Sequence, residues 1–270
     1  NSDYIDIAGG GEGTMVMSGT AVANLAGVRI GRWANGVGTL EMKTGAVMNV
    51  GNSGDAFVMG DQNGATGNLI MNGGTIRQND GATSWNMLGR NGAANVTVNS
   101  GLLSFQSRLH VGKSTGSVAN VTQTGGTVEV RAGGNGSEIV IGDDGGEGHY
   151  NISGGSLKSA TNLVVGHWDG SVATLDISGT ANVLADNFVV ANRGNGTTTM
   201  TGGTLTATTS FHIAGEQGGI GTFTQSGGTT TTPLLTVGSQ GFSGATGTAT
   251  IDPGAPGSVG RDVHADRDHR

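Results

Sequence analysis

Two short sequence marks recur in the same order through nearly the whole chain. The first is a polar residue followed by one or two glycines, as at Ser178 and Gly179. The second is an apolar residue followed by glycine or alanine, and its successive copies lie 23 to 30 residues apart. Two marks that keep their order through so many periods predict a chain built from stacked copies of one small unit. Copies of the second mark begin at Ile30, Met59, Leu88, Val111, Ile141, Val165, Val190, Ile213 and Val237.

Between the marks, apolar and polar residues alternate, as in Leu175, Asp176 and Ile177. This period of two is typical of a β-strand with one buried face, and no segment shows helical periodicity. Strands this short cannot bury a face alone, but stacked copies can pair above and below. The sequence therefore predicts an all-β, single-stranded parallel β-helix (β-solenoid), right-handed, with about nine to ten coils.

The second mark also predicts which side chains face the core. The apolar residue of each mark and the residue two positions before it should both point inward, because side chains alternate along a strand. The earlier position is apolar in every copy except one, where Asn86 occupies it. Its members are Val28, Phe57, Asn86, Leu109, Ile139, Leu163, Phe188, Phe211 and Leu235.

Composition excludes several classes of protein. Gly accounts for 54 of the 270 residues, and hydrophobic residues for 34%, which suits a thin core repeated many times. The net charge of −7 comes without a basic stripe, which argues against a nucleic-acid partner. No apolar run reaches the roughly 18 residues of a membrane span. Cys is absent, so no disulfide framework holds the chain together.

The end of the chain differs from the rest. We assign residues 1–252 to the β-helix, and 253–270 to a Pro/Gly linker followed by a charged tail. The chain begins at Asn1 without an initiating Met, so we interpret it as a mature or excised segment, fused to or neighbouring other domains in its parent protein.

The segment from Gly219 to Thr229, GIGTFTQSGGT, resembles the strand repeats of bacterial autotransporter passengers. The resemblance covers nearly the whole β-helix and implies that fold, together with an extracellular or bacterial cell-surface location. It carries no catalytic motif. The expected shape is also similar to β-helical carbohydrate-binding modules of xylan-degrading enzymes, and that likeness implies binding of an extracellular polysaccharide.

The residue just before each second mark should point outward. This stripe is more apolar than solvent requires, so it predicts a contact surface. A covering loop or the preference of strands for β-branched residues explains the same pattern. The stripe consists of Arg29, Val58, Met87, His110, Val140, Val164, Val189, His212 and Thr236.

The next outward column gives the main candidate site. Trp85, Arg108 and Glu138 should be neighbours on adjacent coils, with His110 beside them. An aromatic ring can stack on a sugar, while Arg and Glu hydrogen-bond its hydroxyls. Alternatively, a one-residue bulge at Trp85 turns its side chain into the core, which would also remove the polar Asn86 from the inward column.

Two other tryptophans should lie at corners of the coil. Trp33 and Trp168 each follow a second mark by three residues and are five coils apart, roughly 24 Å at the strand spacing. We expect them either to hold a long polymer or simply to cover an adjacent coil.

Acidic residues allow a metal or catalytic interpretation. Asp143 and Asp144 could bind Ca²⁺, but a solvated acidic turn is the interpretation we prefer. The same pair lies in a Gly-rich turn rather than on a sheet face, which argues against the carboxylate pair of an inverting hydrolase. We therefore expect no catalytic activity and no obligatory cofactor.

These features predict a non-catalytic polysaccharide-binding module, with xylan-type hemicellulose as the ligand. Its site would contain Trp85, Arg108, His110 and Glu138, with Trp168 and Trp33 as outlying contacts. An adhesin or a structural stalk segment is the alternative.

Overall fold

The computed structural model describes residues 4–52, 54–238 and 244–252 in full, and the backbone of 258–265. These residues form strands joined by turns and contain no helix. In chain order the strands are β1 (Tyr4–Ile7), β2 (Glu12–Met17), β3 (Val22–Leu25), β4 (Gly27–Ile30), β5 (Val37–Lys43), β6 (Val47–Val50), β7 (Phe57–Met59), β8 (Thr66–Gln78), β9 (Asn86–Leu88), β10 (Ala93–Phe105), β11 (Leu109–Val111), β12 (Val118–Gln123), β13 (Thr127–Val130), β14 (Ile139–Ile141), β15 (Glu147–Ile152), β16 (Ser156–Ser159), β17 (Asn162–Val165), β18 (Val172–Ile177), β19 (Asn182–Val190), β20 (Asn195–Ile213), β21 (Ile220–Val237), β22 (Thr246–Ile251) and β23 (Ser258–Ala265).

The strands stack in parallel into three faces, and we call one strand level on a face a rung. The first face contains β1, β4, β7, β9, β11, β14, β17 and the C-terminal parts of β19, β20, β21 and β23. The second face contains β2, β5, β12, β15, β18, β22 and the N-terminal parts of β8, β10, β20 and β21. The third face contains the remaining strand segments, beginning with β3 and β6. The chain is thus an all-β parallel solenoid of about ten turns, which confirms the predicted fold class.

The core is a set of inward columns that run along the solenoid axis. On the first face, Leu109 pairs with Asn86 on one side and with Ile139 on the other. Every member of the inward column predicted from Val28 to Leu235 is buried. The ring centroid of Phe211 lies 4.8 Å from that of Phe188 and 4.9 Å from that of Phe223. Each rung therefore contributes a thin slice to one continuous hydrophobic core.

The small residue of the second mark turns the chain from the first face to the second. Gly112 has φ of 75°, and a Cβ there would lie 2.1 Å from the carbonyl oxygen of Glu147 on the next turn. Ala191 and Ala214 take the same left-handed conformation, with φ of 62° and 61°. The mark accepts only small residues because the corner combines positive φ with close backbone packing.

One part of the predicted tail is ordered differently from our expectation. The backbone of Ser258–Ala265 forms β23, which pairs in parallel with β21, first on the third face and then, after a register shift, on the first face. This part of the tail is a strand of the solenoid, so the assignment of all residues after 252 to a linker and solvated tail is wrong for it. Residues 253–257 and 266–270 lie outside the described residues.

Candidate functional site

The first face brings the four main predicted site residues together. The guanidinium carbon of Arg108 lies 5.4 Å from the ring centroid of Trp85, and the ring of His110 lies 5.2 Å from it. Arg108 also forms an ion pair with Glu138, whose side chain is only 8% exposed. Trp85, Arg108 and Glu138 therefore occupy successive rungs as expected, and His110 packs beside them.

A row of hydrogen bonds continues from Glu138 along the axis. The Asn162 side-chain amide donates to Glu138 Oε2 at 3.0 Å, and that of Asn187 donates to Asn162 Oδ1 at 3.0 Å. Ser210 Oγ then donates to Asn187 Oδ1 at 2.8 Å. We call this series the polar row; its members are Trp85, Arg108, Glu138, Asn162, Asn187 and Ser210.

A shallow depression of about 310 Å³ lies beside the middle of the polar row. Its floor includes backbone of a glycine-rich turn, so it offers peptide groups as well as side chains. The Thr161 hydroxyl donates to the carbonyl oxygen of Ser137 at 2.8 Å, which ties two adjacent turns together at its edge. The lining residues are Gly134, Gly136, Ser137, Glu138, Thr161 and Asn162.

Trp85 lies outside the core, which resolves the alternative of a bulge. Strand β9 pairs with β7 and β11 without a register shift, so Asn86 points inward and Trp85 does not. The buried Asn86 amide donates to Gln78 Oε1 at 2.9 Å and to the carbonyl oxygen of Ser107 at 3.3 Å. The polar residue in the core is thus compensated by the buried side chain of Gln78.

The outward apolar stripe is not an exposed surface, and that expectation was wrong. Val58, Met87, Val140 and Val164 are at most 4% exposed, although their side chains point away from the core. The strands are only three or four residues long, so side chains from the turns at both ends reach over them. Arg90 bonds Asp55 before β7 at 2.8 Å and Asp61 after it at 3.0 Å. The stripe is a second, smaller hydrophobic layer under a polar cover.

The turn after β14 holds a buried carboxylate among three basic side chains. Asp143 is 1% exposed, so its interpretation as part of a solvated turn was wrong. His110 Nδ1 lies 2.9 Å from Asp143 Oδ2, His167 Nδ1 lies 2.9 Å from Oδ1, and Lys113 Nζ lies 3.3 Å from Oδ2. We call these four residues the Asp143 cluster.

The two groups at the centre of this cluster titrate away from their usual ranges. Burial lowers the pKa of His110, and the hydrogen bond with Asp143 offsets that only in part. Burial alone would raise the pKa of Asp143, but hydrogen bonds from His110 and His167 and the charge of Lys113 hold it well below its ordinary value. In His110, Nδ1 lies toward Asp143 Oδ2, and the buried Nε2 has no hydrogen-bond partner among the described residues.

The two corner tryptophans are exposed, as their positions predict. Trp33 is 51% exposed and Trp168 is 39% exposed. Each packs on an Arg: the guanidinium carbon of Arg32 lies 5.1 Å from the Trp33 ring, and that of Arg193 lies 4.8 Å from the Trp168 ring. Trp168 is joined to the Asp143 cluster because its ring lies 5.0 Å from that of His167. Trp33 lies five rungs from Trp168 along the solenoid axis and is separate from the Asp143 cluster.

The carboxylates considered for calcium or catalysis are already paired with cations. Asp144 forms an ion pair with Lys113, and Asp143 contacts Lys113 and two histidines. In residues 4–52, 54–238 and 244–252, no three His, Asp or Glu side chains are grouped so that they could hold a metal ion. What the site offers chemically is hydrogen bonding and aromatic contact.

Our sequence reasoning missed the Asp143 cluster and the row of basic and acidic residues to which it belongs. Residues two positions after most second marks stack along the axis, and each acidic member of the series has a basic residue on both sides. Aligning the repeats at that position would have revealed the series. It contains Arg32, Asp61, Arg90, Lys113, Asp143 and His167.

Comparison of the chain with protein-family models, curated proteins and solved structures finds no significant match. The autotransporter and carbohydrate-binding-module resemblances thus gain no support beyond the β-solenoid architecture that they share. Within the described part of the chain, no helix has the length and hydrophobicity needed to cross a membrane.

Proposed function

We propose that this protein is a non-catalytic carbohydrate-binding module that recognises an extracellular polysaccharide on its first face. Xylan-type hemicellulose is our preferred ligand. The observation that carries the proposal is the polar row, which runs from Trp85 to Ser210 parallel to the solenoid axis beside a shallow depression. An extended sugar chain can follow such a row, because its hydroxyls meet a planar polar group on each successive rung.

Three features of the row support recognition of a neutral polymer. Arg108 and Glu138 neutralise each other, so the row presents hydrogen-bonding groups without net charge. Their mutual bonds fix the side chains in place, which reduces the entropy lost when a ligand binds. Trp85 Nε1 and His110 Nε2 are buried without hydrogen-bond partners in the described residues, and such groups are normally satisfied by a water or a ligand.

Trp168 provides the outlying aromatic contact. Its indole is exposed, and it adjoins the polar row through His167 and the Asp143 cluster. The Arg193 guanidinium packs on its ring, and 39% of the residue stays exposed for contact with a sugar. Trp33 also packs on an Arg, and its rung lies two before that of Trp85, the first member of the polar row.

One observation favours the alternative, an adhesin or a structural stalk. The apolar stripe of the first face is covered, and the charged residues over it are paired with one another. A surface that satisfies itself in this way stabilises a rod without needing a ligand.

Affinity electrophoresis through gels containing soluble polysaccharides tests the proposal. We expect a xylan gel to retard the wild type, and Trp168→Ala and Trp85→Ala to lose most of that retardation. Thr122→Ala, on the second face, is the matched control and should migrate as the wild type does. Because Trp168 is exposed, its loss should leave the thermal unfolding midpoint nearly unchanged, which separates binding from folding. If the wild type migrates normally in every polysaccharide gel, carbohydrate binding is excluded and the adhesin or stalk function replaces it.

A further inference from the structure

The second face carries a regular array of threonines near the C-terminal end of the solenoid. Two outward columns cross three adjacent rungs, contributed by β20, β21 and β22, and the strands pair there without a register shift. The repeated sequence is Gly-Thr-x-Thr at each rung. We call this surface the threonine array; it consists of Thr197, Thr222 and Thr248 in one column and Thr199, Thr224 and Thr250 in the other.

The hydroxyls of the threonine array are free. None of the six forms a side-chain hydrogen bond with another described residue, and all are at least partly exposed. Earlier rungs of the same face are different: the Asn95 side-chain amide donates to Asn68 Oδ1 at 3.1 Å, and that of Asn120 donates to Asn95 Oδ1 at 3.5 Å. At the border, Thr174 Oγ1 lies 2.9 Å from His149 Nδ1. The change in sequence from Asn to Thr therefore frees the surface groups.

The array is held rigidly from beneath. Thr198 and Phe223, which alternate with the array residues, are completely buried in the core. Threonine is β-branched, so its χ1 angle is restricted and its methyl and hydroxyl groups have fixed directions. The outcome is a grid of paired methyl and hydroxyl groups, repeating about every 4.8 Å along the axis and about every 7 Å along the strand.

The chemistry of this grid restricts what can bind to it. No charged side chain lies on β22 or on the N-terminal parts of β20 and β21, so an ionic ligand has no partner there. These segments also have no outward aromatic ring on which a sugar could stack, because Phe223 points inward. A good ligand must itself be uncharged, hydrogen-bonding and periodic in two directions. The surface of ice has these properties, and its oxygen rows repeat at comparable distances.

We propose that the threonine array is an ice-binding surface. The hydroxyls anchor water molecules at lattice spacing, and the methyl groups between them restrict those waters to an ordered layer that merges with the crystal. This activity is independent of polysaccharide binding, because the array lies on a different face from the polar row.

Ice shaping and thermal hysteresis, measured by nanolitre osmometry on the full chain, test this proposal. We expect the wild type to facet a growing ice crystal and to open a gap between melting and freezing. Thr222→Lys together with Thr224→Lys should abolish both effects, because two charged side chains then stand at the centre of the grid. Thr97→Lys together with Thr122→Lys, in the asparagine part of the same face, is the matched control and should retain them.

Thr222→Val keeps the β-branched shape and removes one hydroxyl, so it should fold normally and reduce the gap. Circular dichroism and the xylan gel report the fold and the first face for every variant. Round, unshaped ice crystals with a folded wild type would overturn the proposal, as would equal activity in the lysine variants of the array. A third outcome would also overturn it: the wild type does not shape ice but sediments with microcrystalline cellulose or chitin, and the array variants do not sediment. That result would identify a crystalline polysaccharide as the ligand of the array.

Discussion

The polar row and the threonine array occupy the same solenoid but differ in what their side chains bond to. In the polar row, each side chain from Arg108 to Ser210 bonds to its neighbour on the next rung, as Asn187 does to Asn162 at 3.0 Å. In the array, Thr197 and Thr222 are paired in register, yet no side-chain bond joins them.

Side-chain length explains this difference. Rungs are separated by about 4.8 Å, which an Asn, Glu or Arg side chain can bridge but two Thr hydroxyls that face each other cannot. Amides reach far enough to donate to one rung and accept from the other, so they form ladders, whereas hydroxyls with only hydroxyls beside them bond to water. The comparison teaches that residue choice on a constant backbone decides whether a surface presents side chains fixed in a ladder or hydroxyls that bond only to water or a ligand.

Both faces depend on one core, and truncating it should give the largest effect. Phe211→Ala should lower the free energy of unfolding by about 3–5 kcal/mol, because the residue is buried between two other phenylalanine rings. Urea unfolding followed by circular dichroism measures this. Phe211→Leu should lose clearly less, and a loss below about 1 kcal/mol for the alanine variant would contradict a continuous core under these rungs.

Disrupting the Asp143 cluster, which lies beside the first face, should give the next largest loss of stability. Asp143→Ala should destabilise the protein by about 3 kcal/mol, because it leaves buried basic groups without their carboxylate. Asp144→Ala is the matched control; its carboxylate is exposed, so the change should be at most about 1 kcal/mol. Equal effects in urea unfolding would mean that burial of Asp143 has no energetic consequence.

Much of this architecture could be predicted from the sequence, because the inward columns depend only on alternation along each strand and on the repeat. Leu109 and Ile139 were placed correctly for that reason. Trp85 was harder, since its direction depends on a register that Asn86 seemed to disfavour. The compensating partner of Asn86 is Gln78, which lies on another strand and carries no mark in the repeat.

Which side chains cover the outward stripe could not be predicted from the repeat pattern. Val58 is buried because Arg90, from the following turn, crosses over it to reach Asp55 and Asp61. Such coverage depends on side-chain reach and on charge pairs between turns, neither of which appears in a pattern of apolar residues.

A pH titration should separate the first face from the second. The folded chain resists protonating His110, whereas the unfolded chain takes up that proton below about pH 6.5. The contribution of His110 to the free energy of unfolding is therefore fully present above that pH. It declines as the pH falls, by at most about 1.4 kcal/mol per pH unit. Asp143, whose folded pKa is also lowered, loses its contribution only below about pH 4. Urea unfolding between about pH 7.5 and 5.5 should show the slope, and His110→Gln should reduce it without abolishing it, because burial also lowers the pKa of His212; an unchanged slope would exclude His110 as a contributor.

The smallest expected change in stability separates the asparagine ladder of the second face from the threonine array on the same face. Asn95→Ala removes a bonded amide from its ladder and should lower stability by about 0.5–1 kcal/mol. Thr222→Ala removes a free hydroxyl and should change stability by less than about 0.5 kcal/mol. Thermal unfolding of the two variants measures the difference, and a larger loss for Thr222 would show that the array is bonded after all.

Intrinsic fluorescence of Trp85 tests the central claim most directly. The chain has three tryptophans, so replacing Trp33 and Trp168 by Phe leaves Trp85 as the sole indole, in the polar row, and keeps an aromatic ring for a sugar at the other two positions. We predict that soluble xylan shifts or quenches this emission with a saturable dependence, and that Asn162→Ala in the same background weakens it. Emission that stays constant as xylan and the other soluble polysaccharides are added, from a protein with native circular dichroism, would contradict carbohydrate binding at the first face.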